Sequence, residues 1–169
     1  MRLFFALWPD PDARNLLAGV AAKLRLADRS RLVPDENYHL TLAFLGEVPD
    51  SRLPELLKIG AAQRAPRLEI TFDATEYWAR SQVVAAAAQK TSPELLALCE
   101  QLHTDLALPE QPNRRAHVTL ARKVAQAPVL QAMSPVSWSA SSFGLYRSDT
   151  SGAQSAYTVV DTWQLLDET

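Results

Sequence analysis

Cysteine, histidine, glycine and net charge are all scarce in this chain, and each shortage removes a class of function. There is one cysteine, Cys99, so no internal disulfide forms and a reducing compartment is expected. Three histidines and that cysteine, without ligand spacing, make a poor zinc site. Lys and Arg number 17 against 19 Asp and Glu, a net charge of −2. That balance argues against a protein that coats duplex nucleic acid, and it leaves room for a few local cations on one phosphate. Only five glycines occur, and no GxGxxG or phosphate-loop motif follows a strand. No run reaches the roughly 18 apolar residues of a membrane span. The apolar start is broken at Pro9, too early for a signal segment, so a cytoplasmic location is expected.

What is present fits a soluble globular protein. The 169 residues are 47% apolar and 21% charged, enough for a single domain over 1–169 with two small lobes sharing a core. Residues 3–8 read as a buried strand. Asp10 and Pro11 then open a helix carrying Ala13, Leu16, Leu17, Val20, Ala21 and Leu24 on one face. Residues 31–33 and 38–45 read as strands around the turn Pro34-Asp35-Glu36-Asn37. A second helix starts at Asp50 or Ser51, turns Leu53, Leu56, Leu57 and Ala61 inward, and stops by Pro66. Residues 68–78 look extended, and 83–88 form a short apolar strand. Ser92-Pro93-Glu94 opens a third helix with Leu95, Cys99, Leu102 and Leu106 on its inner face. Pro109 and Pro112 bound a loop. Strands follow at 116–124, 143–146 and 157–160, the last two joined by a polar 148–155 loop, and 163–165 closes the last strand. This order predicts the α+β class.

Two strings echo each other: His39-Leu40-Thr41-Leu42-Ala43 and His117-Val118-Thr119-Leu120-Ala121. Each lies near the middle of one half, and together they use two of the three histidines, the mark of a duplicated unit. Strand alternation puts His39, Thr41 and Ala43 on one face and His117, Thr119 and Ala121 on another. A pseudo-twofold axis between the halves would bring two imidazoles and two hydroxyls together. That set suits hydrolysis of a cyclic phosphate, in which water loses a proton and a sugar oxygen gains one. Near neutrality one imidazole can be neutral and its partner charged. The hydroxyls can hold the nonbridging oxygens. Arg122 falls on the opposite face by simple alternation, and it reaches the site only around a strand end or a bulge.

These motifs resemble those of the two-histidine phosphoesterase superfamily. Pro34-Asp35-Glu36-Asn37-Tyr38-His39-Leu40-Thr41-Leu42-Ala43-Phe44-Leu45-Gly46-Glu47-Val48 is similar to the first motif of bacterial RNA 2′,3′-cyclic phosphodiesterases, also called 2′-5′ RNA ligases, and His117 to Arg122 to the second. Ala116 stands where the family often has proline. The resemblance implies a bilobal, pseudo-twofold α+β fold with two antiparallel sheets lining a central groove and helices outside. It implies metal-independent hydrolysis of an RNA-terminal 2′,3′-cyclic phosphate to a 2′-phosphate, with reversible 2′-5′ joining. By similarity His39 protonates the leaving 3′ oxygen, His117 activates water, and Thr41, Thr119 and Arg122 bind the phosphate. The expected partners are RNA 3′ ends or nucleotides bearing a 2′,3′-cyclic phosphate. No cofactor, metal, membrane or disulfide partner is expected, and the chain is expected to be a monomer. Two alternatives remain: an enzyme for a small cyclic nucleotide phosphate such as ADP-ribose cyclic phosphate, and a non-catalytic RNA-end binding module. Intact histidines in both motifs disfavour the second.

Other features carry less. Cys99 and His103 could share a helix face, but Cys99 belongs to the apolar stripe and His103 reads as a helix-surface residue. Arg114, Arg115, Arg122 and Lys123 form a basic cluster, either a solvated strand end or a funnel for RNA ends. Tyr38, Phe44, Trp78 and Tyr146 are candidates to stack a base.

Overall fold

The structure is a computed structural model that describes residues 1–27, 29–111, 114–152 and 155–166. Pro112 of the expected proline-bounded loop, and two residues of the polar 148–155 loop, lie outside the described residues. In chain order the elements are β1 (Arg2–Leu7), α1 (Pro11–Ala22), β2 (Arg31–Leu32), β3 (Leu40–Glu47), α2 (Leu53–Ala62), β4 (Leu68–Phe72), β5 (Ala74–Trp78), β6 (Val83–Ala87), α3 (Pro93–Asp105), β7 (His117–Arg122), β8 (Val136–Ala140), β9 (Ser142–Asp149) and β10 (Ala156–Gln164). Polar–proline pairs start α1 and α3. Asp10 accepts the Ala13 amide at 2.7 Å before Pro11, and Ser92 accepts the Leu95 amide at 3.3 Å before Pro93.

The strands form two four-stranded sheets, in the orders β10-β9-β1-β3 and β2-β7-β6-β5, and a two-stranded sheet β4-β8. Every pairing within them is antiparallel. The α+β class holds, and the duplication shows in the layout. β1, α1 and β3 repeat as β6, α3 and β7, with each motif strand paired to the strand that precedes its helix. The halves are interleaved: α3 packs on β3, α1 packs on β7, and β3 meets β7 directly. One core therefore runs through both, with Leu17 and Leu42 from the first half and Leu102 and Leu120 from the second, all fully buried. Truncating any of these to alanine costs about 2–5 kcal/mol.

Both motif strands carry a bulge at the same place. Thr41 pairs with Ala6 and Ala43 with Phe5, which leaves Leu42 as the extra residue. Thr119 pairs with Ala85 and Ala121 with Val84, which leaves Leu120 as the extra residue. A bulge resets the alternation of faces. Leu42 and Ala43 are both buried, as are Leu120 and Ala121. Phe44 and Arg122 then return to the face that alternation alone would deny them.

Several expectations change. Regular strand starts at Leu40, so Tyr38 and His39 precede it. The extended 68–78 segment is two strands in two sheets, broken at Asp73, whose carboxylate accepts the Gln89 amide at 2.8 Å. Strand β8 was not anticipated, although Val136, Trp138 and Ala140 alternate inward. Leu16 is 56% exposed, and Ala61 faces solvent while Gly60 packs beneath Trp163. Among the described residues no helix is long and apolar enough to cross a membrane.

Candidate active site

The two histidines are held in the same way. His39 donates its Nδ1–H to the backbone carbonyl of Asn37 at 2.7 Å, and His117 donates its own to the carbonyl of Arg115 at 3.0 Å. In each case the acceptor lies two residues upstream. A carbonyl can only accept, so each neutral ring carries its proton on Nδ1 and keeps the Nε2 lone pair for a ligand. Burial pushes both rings down. It brings His39 to about 4, opposed by the Asn37 carbonyl and reinforced by the charges of Arg122 and His117. His117 is lowered by burial and by Arg114, Arg122 and Arg115, against the pull of the Arg115 carbonyl. Arg122 acts on both rings, as the Leu120 bulge allows.

The surroundings of the two rings differ. Trp8 stacks on His39 with centroids 4.9 Å apart, Phe4 lies at 5.0 Å, and Tyr157 meets it edge-on at 5.0 Å. Tyr146 closes this aromatic cage against Trp8 at 4.2 Å. A Cβ on Gly144 would sit 2.8 Å from the Tyr146 ring and 2.9 Å from the Asp161 carbonyl, so only glycine leaves room for that arrangement. His117 meets one aromatic ring, Trp78, edge-on at 4.6 Å.

A cavity of about 340 Å³ lies between the halves, lined by Thr41 and Phe44 from the first and Trp78, Arg114, Arg115 and His117 from the second. Thr41 and His117 are thus brought together. His39 is not part of this lining, and it is coupled to the groove through the charges of His117 and Arg122. Thr119 is half-buried on β7, two residues beyond His117. Small residues stand beside both threonines: Ala6 pairs with Thr41 and Ala85 with Thr119.

Arg114 ties the halves together. It donates to the carbonyls of Thr41, at 3.3 Å, and Leu42, serving the backbone that the bulge disturbs. It also donates to His103 Nε2 at 2.6 Å, to Gln111 Oε1 at 2.6 Å and to Cys99 Sγ at 3.3 Å. His103 is 6% exposed, not a surface residue, because its Nδ1–H meets the Pro109 carbonyl at 2.9 Å while Nε2 accepts from Arg114. A larger cavity of about 670 Å³ lies beside α3 and shares Arg114 and Gln111 with the groove. It offers no nucleophile, since burial pushes the Cys99 thiol up, and both ring nitrogens of His103 are occupied.

Among the stacking candidates, Tyr38 is 2% exposed and Tyr146 belongs to the cage, whereas Phe44 is 47% exposed in the groove with Arg2 over its ring at 4.7 Å. Sequence reasoning missed Asn37, Glu76 and the cage residues Phe4, Trp8 and Tyr157. For Asn37 a signal existed, its place two residues before a histidine, matched by Arg115. Among the described residues no group of three or more His, Cys, Asp or Glu is arranged to hold a metal ion.

Comparison with known proteins agrees with this layout. The LigT like Phosphoesterase family matches residues 7–85. An RNA 2′,3′-cyclic phosphodiesterase of Thermus thermophilus is 33% identical over 99% of this chain and 92% of its own. An RNA 2′,3′-cyclic phosphodiesterase of Escherichia coli is 31% identical over 97% of this chain and 96% of its own. A crystal structure of E. coli LigT complexed with 3′-AMP superposes with a TM-score of 0.88 at 31% identity, covering 97% of each chain. With both histidine motifs in place on a duplicated sheet framework, the chain belongs to the two-histidine phosphoesterases, in the family of RNA 2′,3′-cyclic phosphodiesterases, and is an enzyme.

Proposed function

We propose that the protein hydrolyses a 2′,3′-cyclic phosphate at an RNA 3′ end to a 2′-phosphate, using His39 and His117 as an acid/base pair. The observation that supports this most is the groove itself. It sets Thr41 of one half opposite His117 of the other among guanidinium groups, with each imidazole tied at Nδ1 by the same kind of bond. A core shared by residues of both halves supports reading the chain as a single domain.

Both imidazoles are neutral at pH 7 before a phosphate binds, since burial holds them below their ordinary value. The bound phosphate brings a negative charge into a site of low dielectric, which favours uptake of a proton from solvent at His39 Nε2, so that His39 enters the reaction as an imidazolium while His117 stays neutral. His117 Nε2 takes the proton of the attacking water as its oxygen bonds to phosphorus. The P–O3′ bond breaks, and O3′ takes a proton from His39 Nε2. This order of roles follows the family resemblance. Thr41, Thr119 and Arg122 hold the nonbridging oxygens as charge builds on them. With the 5′-hydroxyl of a second RNA in place of water, the same groups join two RNA ends through a 2′-5′ bond as the P–O3′ bond breaks, and the reverse of that joining regenerates the cyclic phosphate and the free 5′-hydroxyl. Phe44 offers a face to the terminal base.

The test offers the protein an oligonucleotide ending in a 2′,3′-cyclic phosphate, and a cyclic mononucleotide, with EDTA present throughout. Hydrolysis of the oligonucleotide to a 2′-phosphate supports the proposal. Turnover of the mononucleotide alone points to a small cyclic phosphate as substrate, and binding without turnover would leave an RNA-end binding module.

A further inference from the structure

The carbonyl that orients each imidazole belongs to a residue whose own side chain is tied elsewhere, and the two ties use different chemistry. Asn37 donates its amide Nδ2–H to the Ser155 carbonyl at 2.8 Å, ahead of β10. Arg115 donates to the Ala88 carbonyl from Nε at 3.2 Å and from Nη2 at 3.0 Å. Its Nη1 meets both oxygens of Glu76, at 2.6 Å and 2.8 Å. Glu76 stands on β5 opposite Ala85, which in turn stands opposite Thr119, so it shares the threonine's face of the sheet.

Glu76 does more than pair with Arg115. It also accepts the indole N–H of Trp78 at 2.9 Å, and Trp78 is the ring that meets His117 edge-on. One carboxylate therefore fixes both groups that touch the His117 ring: the residue whose carbonyl takes Nδ1–H, and the aromatic wall beside it. Burial works to raise the Glu76 carboxyl, but hydrogen bonds from Trp78 and Arg115 and the charges of Arg115 and His117 hold it below the usual carboxylate range. It stays ionised and keeps both contacts near neutral pH.

We propose that Glu76 is a positioning residue for His117, acting through Arg115 and Trp78 to keep the ring in its Nδ1–H tautomer with Nε2 toward the groove; Asn37, through Ser155, is its counterpart for His39. The inference rests on the reading of His117 as the group that activates water. A partly exposed Arg–Glu pair adds little to stability by itself, so a purely structural role leaves the imidazole as it is. A positioning role does not, because the partner of one ring nitrogen decides where the proton sits on the other.

The deciding experiment compares the full chain with its Glu76→Gln variant. Long-range proton–nitrogen NMR reads the tautomer of each histidine without substrate, and kinetics on an oligonucleotide ending in a 2′,3′-cyclic phosphate read kcat and KM. In Glu76→Gln, His117 changes from one tautomer to a mixture, and kcat falls about tenfold while KM stays within about twofold. The His39 signals do not move, and Glu76→Asp recovers part of kcat. Asn37→Ala produces the converse pattern, disturbing His39 and sparing His117. His117 signals and kcat unchanged in Glu76→Gln would overturn the proposal. Should that variant fail to fold, Arg115→Lys, which keeps a charge but loses the paired contacts, is read by the same two measurements. If the unmodified protein does not turn over the oligonucleotide, the functional reading fails, and the NMR signals still decide the role of Glu76.

Discussion

Phe44 and Arg122 occupy the same position in the two halves, each two residues beyond a bulged leucine, Leu42 in one and Leu120 in the other. The duplicated backbone delivers an aromatic ring to the groove in one half and, in the other, a guanidinium whose charge acts on both histidines. Phe44 pairs across the sheet with Phe4, a wall of the His39 cage, and Arg122 acts electrostatically on both histidines. The duplication thus repeats the geometry and diversifies the chemistry, with a phosphate expected at the cation and a base at the ring.

Arg122→Ala should lower kcat/KM by about 10–100-fold, because a charge-assisted contact to the phosphate is lost. Arg122→Lys keeps the charge without the fork and should recover part of that loss. Steady-state kinetics on the cyclic-phosphate oligonucleotide check both variants. Equal activity in all three proteins would remove Arg122 from the site.

Phe44→Ala should raise KM by roughly 5–100-fold with kcat little changed, in line with the roughly 1–3 kcal/mol carried by stacking a base on an aromatic ring. Phe44→Trp should keep the affinity. A KM unaffected by Phe44→Ala would place the base elsewhere.

Stability should fall on mild acidification. His39 is held at about 4 in the folded protein by burial and by the Arg122 and His117 charges, the Asn37 carbonyl opposing, against an ordinary value of 6.5. Between these values the unfolded chain binds more protons than the folded one, so stability rises with pH. The contribution is whole above pH 6.5 and is gone once pH falls past about 4, a loss of up to about 3 kcal/mol. His117, also lowered, acts in the same direction. Urea unfolding followed from pH 7 to pH 4 measures it, and the slope should flatten in His39→Gln. A slope unchanged by that variant would contradict the buried, neutral imidazole.

Arg114→Ala should destabilise the fold by about 2–4 kcal/mol, since it strips donors from the Thr41 and Leu42 carbonyls and leaves buried His103 with an unpaired nitrogen. Urea unfolding at pH 7 reads the loss. A change below about 0.5 kcal/mol would mean that the bulge holds itself.

The chemistry-bearing frame was legible because a duplication repeats its local signals. The cap-and-proline starts of α1 and α3 and the two His–x–Thr strings are short-range features, and they appear where their residues predict them, save that His39 lies just ahead of its strand while His117 opens its own. Arg122 was the difficulty. Period-two counting puts it on the wrong face, and only the backbone shows that Leu120 is the extra residue that brings it back. The break at Asp73 was hidden because both flanking segments are extended, and what divides them is membership of different sheets. His103 was misplaced because its partners, Arg114 and the Pro109 carbonyl, come from the loop after its helix. Glu76 gave no local sign at all. It reaches His117 only through the pairing of β5 with β6 and β6 with β7 and through two intermediary side chains.

The most direct test of the paired-imidazole account is the turnover of an oligonucleotide ending in a 2′,3′-cyclic phosphate by the unmodified protein, His39→Ala and His117→Ala, at neutral pH with the product identified. The account predicts a 2′-phosphate from the unmodified protein and a loss of roughly 10²–10⁴-fold in each variant. Near-normal turnover in either variant would contradict it.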